Sequence, residues 1–277
     1  MQIYLPKLRE VFQQTFLLDY RSGAAGTIAG AYVAKAAPDG YTVLTVNSAF
    51  TIFPAVYKSL AFNFPGDFAP ITLMSKRPLL LMTPVKFPAS NFTEYVAYAK
   101  ANPGKINFGT TGVGAGTHLS GAWIGVATGT TATFVHYKGT GPLLPDLIAG
   151  RIDASGVALP PGLPLIRSGK LKAVAMMSDR RSPLLPDLAT IAEQGIPGYD
   201  YSSYTGFLAP AATPAAIVNR LQEGFVKVLR LPDVAARLEA DGNALIGNTP
   251  AQFRQMLVNE ANHWAKLVQE TGIRAED

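Results

Sequence analysis

The sequence contains no cysteine among its 277 residues. Disulfides, thiol catalysis and cysteine-ligated zinc are therefore excluded. The three histidines, His118, His136 and His263, are dispersed and form no H-E-x-x-H pattern, and no G-x-S-x-G nucleophile motif occurs. We therefore predict no metal, no cofactor and no catalytic residue, and we expect that the protein is not an enzyme.

Charged residues make up only 16% of the chain, and hydrophobic residues make up 48%, which is a globular composition. The net charge of +5 is spread along the sequence and forms no long basic run. Nucleic-acid binding proteins usually concentrate such charge in a patch, so we predict no nucleic-acid partner. No segment reaches the roughly 18 apolar residues of a membrane span, and residues 1–7 lack the pattern of an export signal.

The hydrophobic periodicity predicts alternating strands and helices, hence an α/β architecture with mainly parallel sheets. The predicted strands are 16–18, 41–46, 71–74, 79–82, 106–109, 133–136, 152–157 and 171–176. Helices are predicted over 5–14, through residues 28–33 with an end near 38–40, and over 92–101, 117–128, 141–148 and 163–168, with a turn at 21–27 and a connector around 54–68. Three further helices begin at Pro214, Pro232 and Pro250, and this helical tail suggests a discontinuous first lobe.

The most informative segment is a Gly-rich loop at residues 109–118, GTTGVGAGTH, between a predicted strand and a predicted helix. Glycines allow backbone N–H groups to approach a ligand, and a helix N-terminus favours an anion. The loop matches neither the Walker nor the G-x-G-x-x-G pattern, which argues against a nucleotide. The loop alone fits a carboxylate or phosphate site and a plain turn equally well.

Several other side chains allow more than one interpretation. His118 is a ligand donor, a base or simply a residue of the first helical turn. His136, which precedes residues 137–141, is either a further candidate for a functional residue or a structural residue held by a hydrogen bond. The aromatic residues Tyr199, Tyr201, Tyr204 and Phe207 either line a ligand cleft or belong to the core.

Several stretches together resemble the Bug-type extracytoplasmic solute receptors, the TctC-like binding proteins of tripartite tricarboxylate transporters. The matching stretches are 21–30 (RSGAAGTIAG), 34–42 (AKAAPDGYT), 67–70 (DFAP), 98–105 (YAKANPGK), the Gly-rich loop continuing to 121, 137–139 (YKG), 168–173 (SGKLKA), 181–183 (RSP), 185–187 (LPD), 197–199 (PGY) and 206–210 (GFLAP). Their order and spacing cover nearly the whole chain.

The resemblance implies a type II periplasmic-binding-protein fold, with a ligand cleft and hinge between lobe 1 (1–99 and 208–277) and lobe 2 (100–207). It implies a periplasmic transport receptor that captures a small organic carboxylate and delivers it to membrane permease subunits. The implied ligand-binding residues are Asn47 and Ser48 from lobe 1, Thr111, Gly112, Gly114, Gly116, Thr117 and His118 from the Gly-rich loop, Lys138, Gly139 and Thr140 near the lobe crossing, Val157 and Ala158 at a strand end, and Tyr204.

The sequence departs from the family pattern in two places. The pattern begins with a strand and a Pro-Gly-rich loop that form one jaw of a carboxylate pincer, and this chain starts at about the helix that follows. We expect a weakened first lobe, and the alternative function is a ligand-sensing or decayed receptor without a transport role. Many relatives have an acidic residue near Val157, so we expect a ligand without a cationic group.

Two other functions would need features that the sequence does not contain. A regulator of the same fold would need an N-terminal helix-turn-helix, which the sequence lacks. An enzyme on an α/β scaffold would need a base, a nucleophile or a metal set, and the sequence offers none. We therefore predict a transport receptor.

Overall fold

The computed structural model describes residues 3–21 and 26–275. The chain divides into two compact units, one formed by Met1–Lys76 and Tyr204–Ala265, and the other by Arg77–Ser203 and Lys266–Asp277. They are called unit 1 and unit 2 below. The turn predicted at 21–27 falls mostly on residues 22–25, outside the described residues.

From residue 27 to residue 176, helices and strands alternate. The helices are α1 (Leu5–Phe12), α2 (Thr27–Ala34), α3 (Ala49–Val56), α4 (Phe92–Ala101), α5 (Gly116–Thr128), α6 (Thr140–Ala149), α7 (Leu159–Arg167), α8 (Ala215–Leu229), α9 (Pro232–Ala240) and α10 (Pro250–Thr271). The strands are β1 (Leu44–Val46), β2 (Phe68–Pro84), β3 (Ile106–Thr110), β4 (Ala132–His136), β5 (Ala154–Ala158), β6 (Leu171–Met176), β7 (Ser202–Pro210) and β8 (Ala244–Leu245).

Unit 1 contains a sheet in which β1 lies antiparallel to β7, β7 neighbours β2, and β8 pairs with β2 at Ser75. Helix α8 presents Val218, Leu221, Phe225 and Val228 along one face, and these side chains are buried in the same cluster as Phe207 of β7. The rings of Phe207 and Phe225 stack with centroids 4.2 Å apart. Each such buried side chain contributes about 1.5–3 kcal/mol to stability.

Unit 2 contains a five-stranded sheet in the order β6-β2-β5-β3-β4. Strand β3 is parallel to both β4 and β5, whereas β2 is antiparallel to β5 and β6. The prediction of mainly parallel sheets is therefore wrong. The sheets are mixed because β2 is antiparallel to β5, β6 and β8. β2 is a continuous strand of 17 residues, whereas the sequence predicted two short strands separated at the polar residues 75–77.

Strand β2 also explains how the compact units differ from the two predicted lobes. Its second half pairs with β5 and β6 of unit 2. Residues 77–99 consequently lie in unit 2, although the sequence assigned them to lobe 1. The end of α10 lies in unit 2 as well.

Two local predictions near the N-terminus are wrong. Residues 16–18 form no strand, because Phe16 turns its ring toward Phe225 while Leu17 is 86% exposed. The connector predicted around residue 54 begins as helix α3, which contains Pro54. Phe50 and Phe53 of α3 are buried together, so tertiary packing outweighs the low helix propensity of proline here.

Most other helices form where the sequence predicts them, with shifts of a few residues at their ends. Asn91 caps α4, and its side chain accepts a hydrogen bond from the Glu94 N–H. Helix α9 has proline at its first helical turn, and Pro214 directly precedes α8. Strand β1 is confirmed but is shorter than the predicted 41–46.

Candidate ligand-binding site

The Gly-rich loop connects β3 to α5 in unit 2. Gly112 and Gly114 have φ values of +145° and +68°, a region that favours glycine, so the chain can turn tightly between the strand and the helix. The loop lies at the carboxyl end of a strand that is parallel to both neighbours. Ligands of α/β proteins commonly bind at such ends.

Hydrogen bonds within the loop fix its shape. The Thr111 N–H donates to Thr117 Oγ1 at 2.9 Å, and the two threonine hydroxyls are also 2.9 Å apart. The Ala115 N–H donates to the Gly112 carbonyl at 3.2 Å. Thr117 thus ties the first turn of α5 back to the end of β3.

Three backbone donors remain available at this loop. Among the described residues, no acceptor lies within hydrogen-bonding distance of the N–H groups of Val113, Gly116 and Thr117. Gly116 and Thr117 open α5, a helix of 13 residues whose N-terminus carries the positive end of the helix dipole. This arrangement suits a carboxylate, which can accept several hydrogen bonds at once.

Gly116 is also required by packing. A Cβ atom at this position would lie 1.6 Å from the Tyr201 hydroxyl oxygen. Nearby, the Tyr199 hydroxyl donates to the Ser120 carbonyl at 3.0 Å, and the Tyr199 ring stacks on Trp123 at 4.3 Å. Tyr199 and Tyr201 therefore act as packing residues behind α5, and burial raises the pKa of Tyr199 well above its ordinary value.

His118 is buried, and its ring packs against Phe134 and His136 with centroids 4.5 and 4.7 Å away. The Gly114 N–H donates to His118 Nδ1 at 3.2 Å. Nδ1 therefore carries no proton, and the neutral ring is protonated at Nε2. Burial, followed by the charge on His136, lowers the pKa of His118 to about 4, so the ring is neutral at neutral pH.

The loops after β4 and β5 lie beside the Gly-rich loop, because Thr110 is in register with His136 and Gly109 with Ser155. The first of these loops contains Lys138 and Gly139 and leads to Thr140, the first residue of α6, and Lys138 is exposed. Thr110 Oγ1 lies 2.7 Å from His136 Nδ1, which joins the two strand ends. The structure therefore brings together the predicted residues of the Gly-rich loop and residues 138–140.

The remaining unit 2 candidates are less accessible. The Val157 side chain is buried in an apolar cluster with Leu80 and Leu147. Ala158 follows it at the end of β5 and directly precedes α7. Because Val157 belongs to the core, its placement adds no support to the expectation of a ligand without a cationic group, which stays a prediction.

Unit 1 contains the other predicted residues. Asn47 Oδ1 accepts from the Ala49 N–H at 2.9 Å at the start of α3, and Ser48 is buried. The Tyr204 ring is buried against Phe253 in an apolar cluster. The Thr51 hydroxyl of α3 donates to Glu260 Oε2 at 3.0 Å, a contact that sequence reasoning could not predict because 209 residues separate the two in the chain.

Comparisons with known proteins identify the family of the chain as a whole. The family model described as "Tripartite tricarboxylate transporter family receptor" matches residues 4–273. The chain belongs to this family of receptors. The receptor is 31% identical over 269 residues to the protein BugT of Bordetella pertussis, covering 96% of this chain and 82% of BugT.

Solved structures agree with the family assignment. The structure of R. palustris Rpa4515 with adipate has a TM-score of 0.83 and 30% identity, covering 99% of the receptor and 92% of that chain. MatC from Rhodopseudomonas palustris with bound malate has a TM-score of 0.79 and 28% identity, covering 96% and 92%. The receptor has the periplasmic-binding-protein fold and is a solute-binding protein of a transport family, not an enzyme.

Within 3–21 and 26–275, no helix combines the length and the apolar character needed to cross a bilayer. In the same ranges, no group of three or more His, Asp or Glu side chains is placed to hold a metal ion.

Proposed function

We propose that the receptor captures a small organic carboxylate in the periplasm and delivers it to the membrane permease subunits of a tripartite transporter. The observation that carries the ligand class is the N-terminus of α5, where the N–H groups of Gly116 and Thr117 have no acceptor within the described part of the chain. Adipate and malate in the two related structures support a carboxylate.

The electrostatics of unit 2 favour the same ligand class. Residues 109–118 and 137–140 contain no acidic side chain, and Lys138 is exposed beside the Gly-rich loop. An anion at the start of α5 would therefore meet backbone donors, the helix dipole and one cation. His118 does not add a charge, because its pKa is about 4.

We assign different roles to the predicted residues. Gly116 and Thr117 donate backbone N–H groups to the carboxylate, and Thr111 and Gly114 set the loop shape. Lys138 supplies the nearby positive charge. Asn47 and Ser48 stay candidates for ligand contacts in unit 1, since Asn47 is exposed at the start of α3.

A panel of mono- and dicarboxylates, with amino acids and nucleotides as controls, tests the proposal by thermal shift and titration calorimetry. A ligand present at about 100 times its Kd adds roughly 2.7 kcal/mol to the free energy of unfolding. We expect one carboxylate class to raise the Tm, and we expect nucleotides to leave it unchanged. A cooperative melt that no carboxylate shifts would contradict the proposal.

A pair of matched variants locates the site. Thr117→Val removes the hydroxyl that accepts from the Thr111 N–H, while Thr128→Val makes the same change at the other end of α5, where the hydroxyl donates to the Ile124 carbonyl. We expect about a tenfold loss of carboxylate affinity for Thr117→Val, because the backbone N–H groups stay in place but the loop that presents them must then be ordered when the ligand binds. Equal affinities for the two variants would place the carboxylate elsewhere.

A further inference from the structure

Unit 2 contains a pocket separate from the backbone donors that open α5. It has a volume of about 350 Å³ and is partly open to solvent. Its walls come from α4, α5, β3, β4 and the segment that ends α10, and we call it the α5–β4 pocket. It lies entirely within unit 2.

The lining of the α5–β4 pocket is mainly apolar. Phe108 and Phe134 form a T-shaped pair with centroids 5.8 Å apart, and Ile124, Val126 and Ile273 complete the apolar wall. The polar lining groups are hydroxyls of Tyr95 and three threonines together with the His118 ring. No Asp, Glu, Lys or Arg is among the lining residues.

The electrostatics of this pocket differ from those at the N-terminus of α5. His118 is neutral at neutral pH, and burial also raises the pKa of Tyr95, so neither lining group supplies a charge. An ion entering the pocket would lose its hydration without gaining a counter-charge. A neutral apolar molecule would instead gain the free energy of burying its surface against two phenylalanine rings.

The volume limits the size of the occupant. A closed apolar cavity of roughly 150 Å³ holds one benzene molecule, and small-molecule sites begin at roughly 300 Å³. We propose that the α5–β4 pocket is a second binding site of the receptor, which takes a neutral molecule with one aromatic ring and a short hydrogen-bonding substituent. The hydroxyl or amide of such a substituent would pair with a threonine hydroxyl or with His118.

The pocket and the Gly-rich loop share one residue. The His118 ring lines the pocket, and its Nδ1 accepts the hydrogen bond from Gly114. Ala275, beyond the Ile273 wall, also comes within about 3.4 Å of the position a Cβ would take at Gly114. A molecule in the pocket would therefore contact the side chain that holds the loop, without occupying the N–H groups proposed for the carboxylate.

Fluorine NMR with para-fluorophenol, which is neutral at neutral pH, tests the second site on the full chain. The control probe is para-fluorobenzoate, an anion of similar size. We expect the fluorine resonance of para-fluorophenol to broaden when the receptor is added. In proton NMR spectra of the receptor, we expect the probe to shift the imidazole signals of His118. Absence of para-fluorophenol binding to the wild-type protein overturns the proposal, whatever the carboxylate panel shows.

A matched pair of exposed valines locates the probe. Val126→Trp places an indole at the pocket, whereas Val85→Trp makes the same change outside it, and the two valines are 47% and 51% exposed. We expect Val126→Trp to weaken para-fluorophenol binding about tenfold or more and Val85→Trp to leave it unchanged. Equal binding by the two variants overturns the proposal.

A second variant keeps the test decisive if Val126→Trp does not fold. Ala132→Leu fills the pocket from β4 with a smaller side chain and should weaken para-fluorophenol binding in the same direction. Carboxylate binding is measured on each variant. If a variant loses para-fluorophenol binding but keeps carboxylate binding, the result supports two separate sites. If a variant loses both, the two ligands share one site and the proposal is overturned.

Discussion

Gly116 begins α5 at a point where the Tyr201 hydroxyl leaves no space for a side chain. Gly116→Ala must displace either the tyrosine or the loop, so we expect a loss of about 1–3 kcal/mol in the free energy of unfolding. Gly141→Ala in α6 is the matched control, because no heavy atom lies within 4 Å of the added Cβ. Urea denaturation of both variants measures the difference, and equal stabilities would show that the Tyr201 contact is unimportant.

His118 makes stability depend on pH. Its pKa is about 4 in the folded protein, against 6.5 ordinarily, so the unfolded state binds the proton more readily. The contribution of the neutral His118 ring to the free energy of unfolding is present above pH 6.5 and is lost as the pH falls towards 4. We expect the free energy of unfolding to fall by on the order of 2 kcal/mol across this window.

The variant His118→Asn isolates this effect. Its amide oxygen can take the place of Nδ1 as acceptor for the Gly114 N–H, but it does not titrate. Chemical denaturation of both proteins, from neutral pH to pH values near 5, gives the slope of the free energy of unfolding against pH for each. This range is chosen because the carboxylates Asp146 and Glu193 stay ionised in it, since hydrogen bonds lower their pKa values. Parallel slopes would rule out His118 as the source.

At the scale of elements, α4 offers a direct test of capping. Asn91 Oδ1 accepts from the Glu94 N–H at 2.9 Å, while Glu94 Oε2 accepts from the Ser90 N–H at 2.7 Å. We expect Asn91→Ala to cost about 1 kcal/mol of stability. Ser90→Ala is the control, because it keeps the backbone N–H that Glu94 uses. Thermal denaturation that finds the two variants equally stable would contradict the capping role.

Elements with strong local signals could be predicted from the sequence. The capped helix α4, the glycine-bounded α5 and the proline-started tail helices each carry a signal within a few residues. Helix α3 could not be predicted, because its stability comes from the burial of Phe50 and Phe53 against residues distant in the chain. The continuity of β2 through the polar residues 75–77 depends on pairing with β8, β5 and β6, which periodicity does not encode.

For the candidate site as well, the sequence predicts what local patterns encode and does not predict tertiary contacts. Glycine spacing marked the loop and the helix start, and the order of motifs indicated the receptor family. The acceptor role of His118 depends on a distance of 3.2 Å to Gly114, and the core position of Val157 depends on sheet packing. Neither can be obtained from a single sequence.

At the scale of the whole molecule, the net charge of +5 should affect ligand capture. A positive protein attracts an anion at long range, and 0.1 M salt screens this attraction at separations beyond about 10 Å. We expect the association rate constant of a carboxylate ligand to fall as NaCl is increased, with a smaller change in its dissociation rate constant. Stopped-flow measurements check this, and a salt-independent association rate would contradict it.

The two tryptophans of the chain are distributed between the compact units, Trp123 in unit 2 and Trp264 in unit 1. Trp264 is buried, whereas Trp123 is half-buried and stacked on Tyr199. Trp123→Phe and Trp264→Phe would therefore each leave a single tryptophan, located in one unit, whose emission can be excited selectively over that of the tyrosines. Emission spectra of the two variants during denaturation would show whether both units lose their structure at the same denaturant concentration, without any attached dye.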